Sequence, residues 1–214
     1  MEKKIADLRK DYTLHGLSET DALPNPFTQF KIWFDQALSA QLSEPNAMSI
    51  ATASLDGKPS VRMVLLKDYD ERGFAFFTNY NSQKGQQLRE NPWGAVAFWW
   101  AELERQVRIE GQVEQVSPEE SDSYFQNRPR ASQLGAWTSA QSEVINNREV
   151  LEQRLAKFQQ EYENKEVPRP PHWGGFRVIP TIIEFWQGRP NRLHDRLIYK
   201  KQDNGSWIIQ RLSP

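Results

Sequence analysis

Apolar residues recur along this chain with two different periods, and the changes of period mark out its elements. In "NPFTQFKIWFDQALSAQL" Phe27, Phe30, Phe34, Ala37 and Leu38 fall on one side of a 3.6-residue turn. Asn25 can cap this helix, and Pro26 suits its first turn. The period then drops to two. "AMSIATAS" and "PSVRMVLLK" read as strands around "LDGK", whose Asp-Gly is a hairpin cue. "FAFFTN" is a third strand, "SQKGQQLREN" a short helix or turn, and "WGAVAFWW" and "ERQVRIEGQVEQV" a further strand pair. "SPEE" opens a helix, with Ser117 and Glu120 spaced as a capping box. Two more helical stretches surround residues 132–136 and 146–162, and "VPRPPHW" ends them. Three strands close the chain: "FRVIPTIIEFWQG", "RLHDRLIYK" and "SWIIQRL", the last two joined through "DNG". Strands that do not alternate with helices predict a mainly antiparallel sheet curled into a barrel with flanking helices, and argue against a Rossmann-type parallel sheet.

Composition narrows the classes. The 214 residues carry a formal net charge of −1, which argues against a general nucleic-acid binder. No apolar run approaches the ~18 residues that span a bilayer, and "MEKKIADLRKDY" lacks the apolar core of a secretory signal, so a cytoplasmic protein is expected. The chain has no cysteine, which removes disulfides, thiolate metal sites and cysteine nucleophiles together. Eight tryptophans in a 12% aromatic chain suit strands, large cores or stacking on flat ligands.

There is no G-x-G-x-x-G, Walker A loop or G-x-S-x-G elbow, and His15, His172 and His194 have no metal-ligand spacing. Chemistry here therefore points to a cofactor. What the strands do contain is cations: Arg62 and Lys67, Arg105 and Arg108, Arg177, then Arg192, His194 and Arg196. Each alone reads as a strand-end cation paired with an acid; as a set they point to phosphate, whose oxygens suit an arginine fork. Period two puts Arg192, His194 and Arg196 on one strand face. Arg62 and Lys67 have opposite parity, so the strand ends or bulges before Lys67, or the two serve different ligands. In "YFQNRPRASQLGAW" Tyr124, Arg128 and Ser132 recur every four residues, a helical face of hydrogen-bond donors that Pro129 interrupts.

These segments resemble a known family. "RMVLLKDYDERGFAFFTNYNSQKGQQL", "LERQVRIEGQVE", "YFQNRPRASQLGAW", "WGGFRVIPTIIEFWQG" and "NRLHDRLIY" before the terminal "RLSP" are similar to the pyridoxamine 5′-phosphate oxidases, in order and spacing. The resemblance implies an antiparallel FMN-binding split β-barrel over residues 1–214, with an N-terminal arm and helix to about 43 and a helical insertion at about 118–165. It implies a homodimer with FMN at the subunit interface. The expected reaction converts pyridoxamine or pyridoxine 5′-phosphate to pyridoxal 5′-phosphate, with O2 as oxidant and H2O2 released.

Carried over residue by residue, the FMN contacts fall on Arg62, Met63, Val64, Leu65, Leu66 and Lys67, on Phe77 and Thr78, and on Lys84 and Gln106. They continue with Gln141, Ser142, Trp186 and Arg196. Substrate contacts fall on Lys67, Tyr124, Arg128 and Ser132 and on Arg192, Leu193 and His194, while Arg9, Lys10, Asp11 and Tyr12 resemble an arm that covers the substrate. Arg192 and His194 are the expected catalytic pair, and no metal is implied. Gln83 stands where the family has arginine, so a flavin-phosphate role is not carried over there; Phe77 stands where tyrosine is frequent. The rivals are a split-barrel oxidase for another flat substrate and a non-catalytic protein binding FMN or pyridoxal phosphate. A small nucleic-acid-binding barrel is the third.

Overall fold

The computed structural model describes Ile5, residues 11–14 and residues 16–214. Helix α1 (Pro26–Ser39) precedes strands β1 (Ala47–Ala53), β2 (Pro59–Leu65), β3 (Asp68–Asp70) and β4 (Gly73–Asn79). Helix α2 (Gln83–Glu90) leads to β5 (Trp93–Trp100) and β6 (Arg105–Gln115). Three helices follow, α3 (Pro118–Gln126), α4 (Arg130–Thr138) and α5 (Glu149–Glu161), before β7 (Trp173–Gln187), β8 (Asp195–Lys201) and β9 (Trp207–Arg211). The strands run in the order β2-β1-β5-β6-β7-β4-β3, with β8 against β7 and β9 against β8. The fold is mainly antiparallel β, the split-barrel class. No helix among the described residues is long and apolar enough to cross a membrane.

Strand β7 is shared by two partners. Its first half pairs antiparallel with β4, from Trp173 opposite Asn79 to Val178 opposite Phe74. Its second half pairs antiparallel with β8, from Ile182 opposite Lys200 to Gln187 opposite Asp195. Pro180, with no N–H to give to a ladder, falls between the two registers. The chain also divides there. One unit comprises Met1–Ser49, Val96–Glu110 and Pro180–Pro214, the other Ile50–Ala95 and Gly111–Ile179.

In the first unit, the Asn25 side chain accepts from the N–H of Phe27 (2.8 Å) and of Thr28 (3.4 Å), so α1 starts as expected. Its buried arc is Phe27, Phe30, Trp33 and Ala37. The expected stripe placed Leu38 there, but Leu38 is 51% exposed and Trp33 takes the inner position. Trp33 meets Phe185 edge-on at 5.2 Å, which turns the arc toward the strands. Phe30 packs on Phe98 at 5.2 Å. Tyr199 is fully buried, donates to the Leu23 carbonyl at 2.8 Å, and has its phenol pushed up to about 12 by burial.

One strand expectation is corrected here. "RLHDRLIYK" does not extend from Arg192; β8 begins at Asp195. Pro190–Arg192 forms a 3-10 turn, with Asn191 and Arg192 at left-handed φ of 57° and 62°. The turn closes through Leu193 N–H to the Pro190 carbonyl at 3.2 Å. Period two therefore has no strand to act on before Asp195. The short β3 and the first residues of β7 had no signal strong enough to be expected.

In the second unit, the hairpin after β1 closes as its Asp-Gly predicts, with Gly57 at φ 81°. Phe76 stacks on Phe176 at 5.9 Å, and Phe125, Leu134, Ala136, Val167 and Trp173 form a second cluster under the helices. Gly175 is required where it stands. A Cβ there would lie 2.5 Å from Val116 Cγ2 and 2.8 Å from the Phe77 ring. Gly175→Ala should therefore destabilise the protein by about 1–3 kcal/mol through overpacking. Urea unfolding of the two proteins measures this, and equal midpoints would contradict it.

Candidate active site

In the second unit Arg72, Arg169 and Arg177 pair with acids, whereas Arg62, Lys84 and Arg128 form no ion pair among the described residues. Arg62, half-buried on β2, donates from Nη1 to Thr52 Oγ1 (2.7 Å) and the Ser60 carbonyl (3.1 Å), and from Nη2 to Ser60 Oγ (2.7 Å). Those hydroxyls also bind Gln87 Oε1, at 2.6 and 2.7 Å. Lys84 lies in the first turn of α2, which Ser82 caps by accepting from Gly85 N–H at 3.3 Å. The Lys84 ammonium is buried and donates to Thr78 Oγ1 (3.0 Å), Ser82 Oγ (3.3 Å) and Gln141 Oε1 (3.0 Å). All these partners are neutral. Burial, with the Arg62 guanidinium adding to it, pushes Lys84 down to about 8.

A cavity of about 440 Å³ collects Lys67, Thr78, Lys84, Gln141 and the trio Tyr124, Arg128 and Ser132, with Met63, Val64, Leu65 and Phe77. The trio meets there by a different route from the expected single helical face. Helix α3 stops at Gln126 and α4 starts at Arg130, so Pro129 breaks the run and Arg128 sits in the link. The Arg128 guanidinium lies 4.4 Å over the Trp173 ring, and its buried Nη1 has no hydrogen-bond partner among the described residues. Tyr124 stacks on Phe77 at 3.9 Å, and Phe77 on Trp173 at 5.6 Å. Burial raises the Tyr124 phenol, so it stays a donor at neutral pH. Ser142, at φ 76°, accepts from Gln83 N–H at 3.2 Å. The parity conflict resolves simply: β2 ends at Leu65, and Lys67 follows with its N–H on the Ala75 carbonyl at 2.9 Å. Leu66 is buried.

The first unit carries the remaining residues. Arg196 on β8 stands opposite Trp186 on β7. Its guanidinium is committed to Glu184, by Nε to Oε1 at 2.8 Å and Nη2 to Oε2 at 3.1 Å, and to the Ser213 carbonyl at 3.0 Å. Arg108 shares Glu184 at 3.2 Å. Arg105 donates to Gln187 at 2.8 Å and lies over Trp33, and burial brings it down to about 10. Gln106 is half-buried at the start of β6. His194 lies 4.6 Å from Trp186, and its Nδ1 accepts from Arg189 N–H at 3.1 Å, which leaves the ring proton on Nε2. Burial, then the nearby Arg192, lowers its pKa against the opposing pull of Asp195, so the imidazole is neutral at pH 7. Arg192 and Leu193 are exposed. Of the arm, Asp11 and Tyr12 are described, and Arg9 and Lys10 lie outside the described residues.

Trp173, Glu184 and Glu104 were not singled out from the sequence. The "WGG" stretch marked Trp173 only as part of a motif, and an acid in a strand gives no sign of which cation it will neutralise.

The protein is of the mainly antiparallel split-barrel class, and its second unit sets acid-free cations beside a stack of aromatic rings. Residues 34–162 match the family described as pyridoxamine 5′-phosphate oxidase, and residues 173–214 the pyridoxine 5′-phosphate oxidase C-terminal dimerisation region. The chain is 71% identical to the pyridoxine/pyridoxamine 5′-phosphate oxidase of Nostoc punctiforme and 67% identical to that of Gloeothece citriformis, over 100% of each chain. Among solved structures, PhzG from Burkholderia lata in complex with tetrahydrophenazine-1-carboxylic acid is 31% identical with a TM-score of 0.89, over 96% of this chain and 100% of that one. The chain belongs to the pyridoxine/pyridoxamine 5′-phosphate oxidase family.

The Lys84 environment yields a pH dependence. An ordinary lysine keeps its proton up to 10.5, whereas the folded Lys84 releases it near 8. The unfolded chain thus binds more protons between those values, so this group adds stability as pH rises through that window and contributes no slope below it. An anion bound to the charged form reverses the trend. Stabilisation of the flavin-free protein by inorganic phosphate should be full below pH 8 and shrink above it. Thermal unfolding from pH 6.5 to 10 checks this, and Lys84→Met should flatten the response.

Proposed function

We propose that the protein oxidises pyridoxamine 5′-phosphate and pyridoxine 5′-phosphate to pyridoxal 5′-phosphate, with FMN as cofactor and O2 as oxidant. The observation that carries the reading is the pair of acid-free cations, Lys84 among neutral oxygens and Arg128 with a buried, partnerless Nη1. A buried cation of this kind wants an anion, and both ligands of the reaction carry a phosphate.

The donor set fits the cofactor. Arg62 and Lys84, with Gln141 and Ser142 beside them, would hold the flavin phosphate, and Trp186, Gln106 and Arg196 are assigned to the same cofactor. Phe77 and Thr78 belong to this set, as does the backbone of Met63, Val64, Leu65 and Leu66. FMN, when bound, supplies the hydride acceptor and is reoxidised by O2 with release of H2O2.

The protein's own residues bind and orient. Lys67, Tyr124, Arg128 and Ser132 anchor the substrate phosphate, each donating a hydrogen bond. His194, neutral and protonated on Nε2, donates to a polar group of the substrate ring. Arg192 clamps the ring by charge and stacking, and a guanidinium is no general base. Leu193 and the arm residues Arg9, Lys10, Asp11 and Tyr12 complete the assigned substrate contacts. A homodimer with FMN at the subunit interface, in the cytoplasm, is part of the proposal. The match of residues 173–214 to a dimerisation region supports the dimer.

The purified protein should be yellow and should release H2O2 on addition of pyridoxamine 5′-phosphate; a flavin spectrum without peroxide would favour a binding protein instead. Arg192→Met should keep its flavin and lose most of its turnover, whereas Arg62→Ala should lose flavin first. Arg128→Ala removes a charge-assisted contact, so its KM should rise about 10- to 100-fold. An unchanged KM in that variant would refute the phosphate assignment.

A further inference from the structure

The arm residue Tyr12 has a built seat in the first unit. Its ring meets Trp186 at 5.7 Å and 88°, and His194 at 5.6 Å and 70°, so one aromatic edge closes over both. Beneath it is Gly188. A Cβ on Gly188 would lie 2.7 Å from Tyr12 Cγ, 3.0 Å from Tyr12 Cβ and 3.0 Å from Glu104 Cβ. The glycine is thus the vacancy that Tyr12 fills.

Glu104 fixes the next two residues of the arm. It is 3% exposed, stands at a left-handed φ of 54°, and closes the 3-10 turn Ala101–Leu103. Its Oε2 accepts from Thr13 N–H at 3.0 Å and from Leu14 N–H at 3.3 Å. Its own carbonyl accepts from Gly188 N–H at 2.7 Å and from Gln187 Nε2 at 3.2 Å. One residue therefore grips the arm with its side chain and the end of β7 with its backbone. Hydrogen bonds from N–H donors to a carboxylate are charge-assisted and about twice as strong as neutral ones. Asp195 continues the grip, accepting from Leu17 N–H at 3.0 Å.

We propose that Glu104 is a positioning residue, a latch that holds the arm shut so that Tyr12 stays against His194 and Trp186 and confines the substrate there. Gly188 is the second half of the latch, since only its missing side chain admits Tyr12. The proposal rests on the assignment of Arg192 and His194 to the substrate.

The test uses the flavin-loaded enzyme with pyridoxamine 5′-phosphate. Glu104→Ala should raise KM about tenfold while kcat falls less, in line with the loss of hydrogen bonds to a charged acceptor. Glu104→Gln, which keeps an acceptor oxygen, should restore most of that. Amide hydrogen exchange over residues 11–17 should quicken in Glu104→Ala and return toward the wild-type rate in Glu104→Gln. Gly188→Ala should raise KM alike by displacing Tyr12, and it carries the test if Glu104→Ala does not fold. In a Tyr12→Ala background, Glu104→Ala should add little, because the latch acts through Tyr12. Unchanged KM and exchange in Glu104→Ala, or a full additive loss in that background, would overturn the latch. If Arg192→Met retains its turnover as well, the substrate assignment itself is wrong; if only the latch variants are silent, the latch alone fails.

Discussion

Charge brought into a protein interior must be balanced, and the way this chain balances its cations organises everything else in the structure. Arg108 and Arg196 divide one buried carboxylate, Glu184, between them. Arg177, itself 4% exposed, takes Glu120 at 2.9 Å. These pairings neutralise the charges within the chain and tie strands and helices together. Lys84 and Arg128 are settled differently: the first among hydroxyl and amide oxygens, the second over an aromatic face with one donor unmet. Neutral oxygens orient a cation without cancelling it. An anion bound beside these cations would offset their desolvation and so stabilise the protein.

The aromatic content takes its place around that constraint. Phe77, Tyr124 and Trp173 lie nearly parallel, at 15° and 14° to Phe77, and give the cavity a flat wall beside its cations. Gly175 makes the wall possible by leaving room for Phe77. In the first unit Trp186 and His194 play the corresponding part, with the imidazole fixed as a donor by the Arg189 N–H on its other nitrogen. Residues of low intrinsic reactivity are thereby held in set places. That is what a protein contributes when the redox chemistry belongs to a cofactor.

Period and punctuation made most of the fold legible. Asn25 before Pro26, Asp-Gly at the first hairpin, and Ser117 three residues before Glu120 each acted locally, and local rules carried them. Burial was less legible. The sequence pattern favoured Leu38 over Trp33 because both lie near one helical arc, and only the position of Phe185 decides between them. For the site, the cations themselves were plain in the sequence, but their partners were not. Arg62 and Arg196 look alike in a strand; one meets Thr52 and Ser60, the other Glu184, and that difference is tertiary. The trio Tyr124, Arg128 and Ser132 was found through a four-residue spacing whose helical geometry does not hold. Three donors around Pro129 converge because the break turns α4 back beside the end of α3.

The left-handed turn at Asn191 and Arg192 shows why the "RLHDR" stretch is not simply a strand. A non-glycine residue at φ near 60° is uncommon, and two in succession persist only where surrounding structure holds them. Pro190 starts the turn, and β8 resumes only at Asp195. Within β8, Arg196 faces the same side as Trp186 and is taken up by Glu184, as a strand cation with an acid beneath it must be. Arg192, lifted out of the ladder, escapes that neutralisation and keeps an exposed guanidinium one residue from Leu193 and two from His194. The same sequence motif thus produces two kinds of arginine. The strand sets one against a buried carboxylate, and the strained turn leaves the other exposed.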